Sequence, residues 1–199
     1  MNAPFPHLIL LKGAPAVGKS TTAKLLASHF PSGVRIEVDT LRQMVISVNW
    51  TDQAEHRSIL TLSAQLAAGF LRSGLAPVLL IDTFSGDKID PFLAAFHSEC
   101  PNRQAFVVVL HASDDVLRER MLNRDSNAFR DIAIATRINH ESVLNAKSSD
   151  LVLDTSTLSS ADVAREIVTA LRELAIRAPM LAMSEVRPLE LPSLPQRSR

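Results

Sequence analysis

The stretch "LILLKGAPAVGKSTTAKLL", residues 8–26, decides how this chain is built. An apolar run leads into two glycines, Gly13 and Gly18, and then directly to Lys19, Ser20 and Thr21 at the head of a helix-like segment. Within it, "GAPAVGKS" fits the pattern G-x-x-x-x-G-K-[ST], lying after a strand pattern and before a helix pattern as that motif requires. Glycine admits positive φ and lets backbone approach a ligand closely, so the amides of Gly13, Ala14, Ala16, Val17, Gly18, Lys19, Ser20 and Thr21, bent around Pro15, are expected to wrap phosphate oxygens. The helix that starts near Gly18 adds the positive end of its dipole. Lys19 is expected to reach the β and γ phosphates of a nucleoside triphosphate, and the Ser20 hydroxyl to sit on Mg²⁺.

Further along the chain, runs nearly continuous in Val, Leu and Ile read as strands at 7–12, 34–38, 77–82, 105–110 and 150–154. Such runs belong to strands covered on both faces. Helical patterns fill the intervals. Asp52 with Glu55 forms a capping box for a helix that stops at Gly74. Asp90 before Pro91 reads as an N-cap followed by proline at the first helical position. Ser113 with Asp114 and Asp115 opens another helix, and Ser160 with Asp162 opens the last. This alternation predicts an α/β fold, a parallel sheet with helices on both faces. After Ala178 the pattern fails in a segment holding four of the eleven prolines, so a domain over 1–177 and a C-terminal tail over 178–199 are expected.

Composition narrows the classes. The chain has 199 residues, 46% of them hydrophobic, which suits one sizeable core. Its 21 basic residues balance 21 acidic ones, so nothing calls for a polyanionic partner. Cys100 is the only cysteine, which excludes an intrachain disulfide and a cysteine zinc cluster. The six histidines are scattered without an H-x-x-x-H pair, and surface or packing roles are expected for them. No stretch reaches the roughly 18 apolar residues of a membrane span, and the first residues lack a basic leader. A cytoplasmic protein without membrane attachment, monomeric or homodimeric, is expected.

A triphosphate loop alone leaves a kinase, a GTPase switch and an ATPase motor or binding module open. There is no N-K-x-D guanine motif and no L-S-G-G-Q signature, so a kinase remains. In "VDTLRQMV" a strand turns into a helix at Asp39, with Arg42 one helical turn later. Ligands of open α/β sheets lie at the carboxyl ends of strands. A carboxylate there can take an acceptor hydroxyl's proton, and an arginine can hold an acidic or hydroxylated substrate. Asp82 ends "VLLID" and is the expected Mg²⁺ carboxylate, with Thr83 adding a hydroxyl contact. In "LRERMLNRDSNAFRD", 117–131, Arg120 and Arg124 are expected to share a helix face and converge on one phosphate. Arg118 and Arg130 read as solvated. Asp150 and Thr155 read as local caps, and Ser156 as a residue lining the base site.

Together these segments resemble the P-loop kinase group, which includes gluconate and shikimate kinases, chloramphenicol phosphotransferase, zeta-type toxin kinases and polynucleotide 5′-hydroxyl kinases. The resemblance runs in order from residue 8 to about 177. It implies a P-loop NTPase three-layer sandwich with a five-stranded parallel sheet in order 2-3-1-4-5, an arginine-bearing lid near 118–131 and an acceptor pocket built from the helices after the second strand. It also implies that Asp39 is the general base, Arg42 an acceptor-site arginine, Arg120 a residue beside adenine and phosphate, and Arg124 a lid cation. The expected activity is Mg²⁺- and ATP-dependent phosphoryl transfer to a hydroxyl of a small metabolite or antibiotic. A polynucleotide 5′-hydroxyl kinase and a non-catalytic ATP-binding regulator are the alternatives. The Asp-Gly-Gly loop of shikimate kinase is replaced here by Asp82, Thr83 and Phe84, which argues against shikimate itself. Neutral charge and 5% aromatic residues argue against a nucleic-acid partner.

Overall fold

The computed structural model of the chain describes residues 6–124 and 129–184. Strands β1 (Leu8–Lys12), β2 (Val34–Glu37), β3 (Val78–Ile81), β4 (Ala105–His111) and β5 (Leu151–Asp154) alternate with helices. These are α1 (Lys19–Ala27), α2 (Val38–Gln43), α3 (Gln53–Arg72), α4 (Ile89–Glu99), α5 (Asp114–Leu122), α6 (Ile132–Leu144) and α7 (Ser160–Ser184). The five strands form one parallel sheet in the order β2-β3-β1-β4-β5. This is the P-loop NTPase topology. Among the described residues, no helix is long and apolar enough to cross a membrane.

Alternation along β1 divides the core in two. Ile9 and Leu11 face Ala23 and Leu26 of α1, Leu117 and Met121 of α5, and Val163, Ile167 and Leu171 of α7. Leu8 and Leu10 face Leu60, Ala64 and Leu71 of α3 and Phe92 and Phe96 of α4. Every residue of β1 and β3 is buried, which is why the sequence there shows unbroken apolar runs in place of alternation. β5 enters late, pairing Leu151 with Val108. Its end therefore lies beside His111, whose carbonyl accepts the Thr155 amide at 2.8 Å.

Several boundaries differ from the sequence expectations. Lys88 and not Asp90 caps α4, with Asp90 and Pro91 inside the first turn. Proline is tolerated there because the first-turn N–H groups have no helical partner. The capping box of α7 sits one residue early, the Ser159 hydroxyl accepting from the Asp162 amide and the Asp162 carboxylate accepting from the Ser159 amide, both at 3.2 Å. Helix α7 also continues past Ala178 to Ser184. Pro179 removes a single backbone donor, and the following Met180, Leu181, Ala182 and Met183 are strong helix formers. Segment 185–199 lies outside the described residues, as does 125–128 of the expected lid. Helix α6 was not anticipated. Its N-cap Asp131 accepts from the Ile134 amide at 2.9 Å.

Candidate nucleotide and acceptor site

The loop between β1 and α1 takes its shape from left-handed residues. Gly13 has φ 144° and Gly18 φ 96°. A Cβ at Gly13 would stand 2.2 Å from the Leu110 carbonyl oxygen, so no other residue fits there. Ala16 adopts φ 69°, at a cost on the order of 1–2 kcal/mol. Alternating hands turn successive amides to one side, the concave arrangement that receives anions. Gly18 also precedes α1, so the helix dipole points into the same hollow.

Lys19 curls over this loop, its Nζ donating to the Gly13 and Ala14 carbonyls at 2.8 Å each. Burial pushes its ammonium down to about 8, against the pull of Asp82 and Asp39, and the charge of Arg124 pushes the same way. The Ser20 hydroxyl donates to Oε2 of Glu37, at the end of β2, at 2.9 Å. Glu37 was missed in the sequence. Period-2 spacing from Asp39 along a strand end is the signal that could have found it.

Strand β2 passes into α2 without a loop, so Asp39 is fixed in the first turn at the sheet's carboxyl edge. Asp39 is an exposed residue, while its carboxyl group is partly withdrawn from water. Withdrawal from water and the nearby Asp82 charge push its carboxyl up, and Lys19, Arg42 and His56 pull it back. The sequence thus brings Lys19, Asp39 and Asp82 within electrostatic reach of one another.

Asp82, the expected Mg²⁺ carboxylate, is bonded to partners within the protein. It is 5% exposed; Oδ1 meets His56 Nε2 at 3.1 Å and Oδ2 accepts the Phe84 amide at 2.7 Å. Burial pushes its carboxyl up, but the hydrogen bond and charge of His56, with the Phe84 amide and Lys19, more than reverse this and hold it below the ordinary value. The Ser20 hydroxyl faces Glu37 instead. His56 lies on the buried stripe of α3 with Leu60, Ala64, Ala67 and Leu71; a histidine on an apolar stripe was the available signal. Phe84 is held at φ 48° with its ring edge-on to Phe92, centroids 5.2 Å apart. Thr83 is half-buried and makes no hydrogen bond with its hydroxyl among the described residues.

Arg42 is turned inward. It is 4% exposed, donates to the Asn49 carbonyl at 3.0 Å, pairs with Glu55 at 3.6 Å and lies 4.6 Å from the Trp50 ring centroid. Its guanidinium braces segment 49–55 and is not open to a ligand. Arg120 and Arg124 diverge. Arg120 donates to the Thr155 hydroxyl and carbonyl at 3.0 and 2.7 Å, whereas Arg124 donates to the Phe129 carbonyl at 3.3 Å. Helix α5 ends at Leu122, so the expected i,i+4 relation does not exist. Ser156 accepts the Ser113 amide at 2.7 Å, closing the turn after β5 on the same side as Arg120.

A family model described as AAA domain matches residues 9–142, well over half of the chain. The chain belongs to the AAA-domain family. No curated protein sequence matches it significantly. Solved structures similar to this AAA-domain protein include a gluconokinase from Sinorhizobium meliloti, 22% identical over 91% of this chain and 98% of that one, TM-score 0.61. The Deinococcus radiodurans tunicamycin resistance protein is 21% identical over 82% and 94%, TM-score 0.62. The Mycobacterium tuberculosis APS kinase, solved with AMPPNP and APS, is 16% identical over 85% and 99%, TM-score 0.61. At these identities the shared property is the P-loop kinase fold.

Proposed function

We propose that this AAA-domain protein transfers the γ-phosphoryl group of ATP to a hydroxyl of a small molecule. One observation carries the proposal: the carboxylate of an exposed residue, Asp39, on a strand–helix joint within electrostatic reach of the phosphate-loop lysine. The loop amides and Lys19 would hold the β and γ phosphates, and Asp39 would orient the acceptor hydroxyl. As the acceptor oxygen bonds to the γ-phosphorus and the bond to the β–γ bridging oxygen breaks, Asp39 takes the hydroxyl proton and ADP leaves. Asp39's raised carboxyl favours that proton transfer. Arg124, whose charge already acts on Lys19, would meet charge spreading over the γ-phosphoryl oxygens.

The residues fit magnesium delivered with the nucleotide. The Ser20 hydroxyl and the Glu37 carboxylate, 2.9 Å apart, are hard oxygen donors at the loop's rim and would hold the ion together with phosphate oxygens. When bound, Mg²⁺ would neutralise β and γ phosphate charge.

The burial of Arg42 counts against a nucleic-acid 5′ end as acceptor, because the arginine that would grip that end is engaged with Asn49, Glu55 and Trp50. The test is product formation from ATP and a panel of hydroxylated small molecules, with Asp39→Asn alongside. Asp39→Asn is expected to bind ATP nearly as well and to lower kcat by roughly 10² or more, about 2.7 kcal/mol in the barrier. Unchanged turnover removes Asp39 as base. ATP binding with no phosphorylated product from any acceptor leaves the regulatory module.

A further inference from the structure

Past the carboxyl ends of β2 and β3, cations and carboxylates come in pairs. Arg42 meets Glu55 at 3.6 Å, His56 meets Asp82 at 3.1 Å, and Arg57 meets Asp87 at 2.5 Å. Lys88 stands among these pairs without one. It is 5% exposed, and among the described residues its ammonium makes one hydrogen bond, to the Ser85 hydroxyl at 2.7 Å. The residue follows β3 and caps α4, at the sheet edge where the phosphate loop and Asp39 also lie.

A buried ammonium is costly unless an opposite charge meets it. Burial is the largest influence on Lys88 and pushes it down; Asp82 and, more weakly, Asp87 oppose this, while Arg57 and Arg42 add to it. Asp82 acts on it only from a distance: its carboxylate contacts are with His56 and the Phe84 amide, and it forms no ion pair with Lys88. Asp87 is likewise committed to Arg57. Two of the three ammonium protons therefore find no hydrogen-bond partner among the described residues. Lys19 offers the same arrangement in the same molecule: a lysine withdrawn from water, resting on neutral oxygens, whose counter-charge is the incoming phosphate.

We propose that Lys88 anchors an anionic group on the acceptor, so that the substrate is a small hydroxylated anion bearing a carboxylate or a phosphate. The inference rests on the phosphotransferase reading and narrows it, since a neutral polyol would leave the ammonium unmatched. Lys88 acts as a specificity determinant and takes no part in the bond changes.

Calorimetry on the full chain, at fixed ionic strength and with the nucleotide half filled by magnesium AMPPNP, tests this. Glycerate and glycerol 3-phosphate serve as anionic probes, which separate carboxylate from phosphate, and glycerol as the neutral probe. At least one anion is expected to bind tenfold or more tighter than glycerol. Lys88→Met is expected to abolish that preference and Lys88→Arg to keep it, with AMPPNP affinity unchanged in both. Equal binding of anions and glycerol overturns the proposal, as does a preference that survives in Lys88→Met. Failure of the native chain to bind AMPPNP is seen in its own titration, and it overturns the phosphotransferase reading and this proposal with it.

Discussion

His56 and Asp82 form a buried pair where α3 meets the end of β3. Both are buried, and the carboxylate's position below its ordinary value comes from the histidine, the Phe84 amide and Lys19 acting against burial. A carboxyl depressed in the fold stabilises it above the unfolded-state value, and that contribution disappears as pH falls through the folded value. With His56→Leu, burial acts on Asp82 with its main opponent gone. The carboxyl then rises, and stability is lost as pH increases. Urea unfolding of His56→Leu is expected to show a loss of about 3–5 kcal/mol at pH 8 and a smaller one at pH 5, with much of the loss recovered by adding Asp82→Asn. Equal losses at both pH values would contradict this account. The pairing was not legible in the sequence, because α3 and β3 meet only through the fold. Gly13, Gly18 and Lys19 were legible because their geometry is local and their spacing is set by one turn of chain.

Elements were read well where a cap and a period coincided. Asp52, whose Oδ1 accepts the Ala54 and Glu55 amides at 2.8 and 3.0 Å, marked α3 correctly. Helix α6 escaped because its apolar residues are broken by Thr136, Arg137, Asn139 and His140. One of these polar residues is what docks it: Asn139 accepts the Ala112 amide at 3.2 Å and donates to the Ala112 carbonyl at 2.7 Å, closing a two-bond clasp onto the end of β4. Asn139→Ala leaves both backbone groups buried and unmet. Since each such group costs on the order of 1–3 kcal/mol, a loss of roughly 2–6 kcal/mol is expected in urea unfolding, with Met121 and Ile138 packing loosened as α6 shifts. The arginine pair failed as an expectation for the opposite reason: the period looked helical through Arg124, but α5 had already ended at Leu122.

At the scale of the molecule, the parallel sheet followed from strand–helix alternation and its order from the resemblance, whereas the pairing of Arg42 with Glu55 and of His56 with Asp82 did not show, because it joins α2, α3 and the end of β3 across the fold. Nucleotide binding should be visible globally. A ligand at about 100 times its Kd adds roughly 2.7 kcal/mol to the folded state, which for a chain of this length raises Tm by roughly 5–11 °C. Magnesium ATP analogues are expected to give that shift in a thermal melt, and Lys19→Met to remove most of it; a flat response in the native chain would remove the nucleotide from the account. The two-sided core has a consequence of its own. α1, α5 and α7 press on one surface of the sheet and α3 and α4 on the other, so the sheet works as a bulkhead. Repacking among α3 and α4 can therefore accumulate on one flank while α1, α5 and α7 beyond the partition keep their fit.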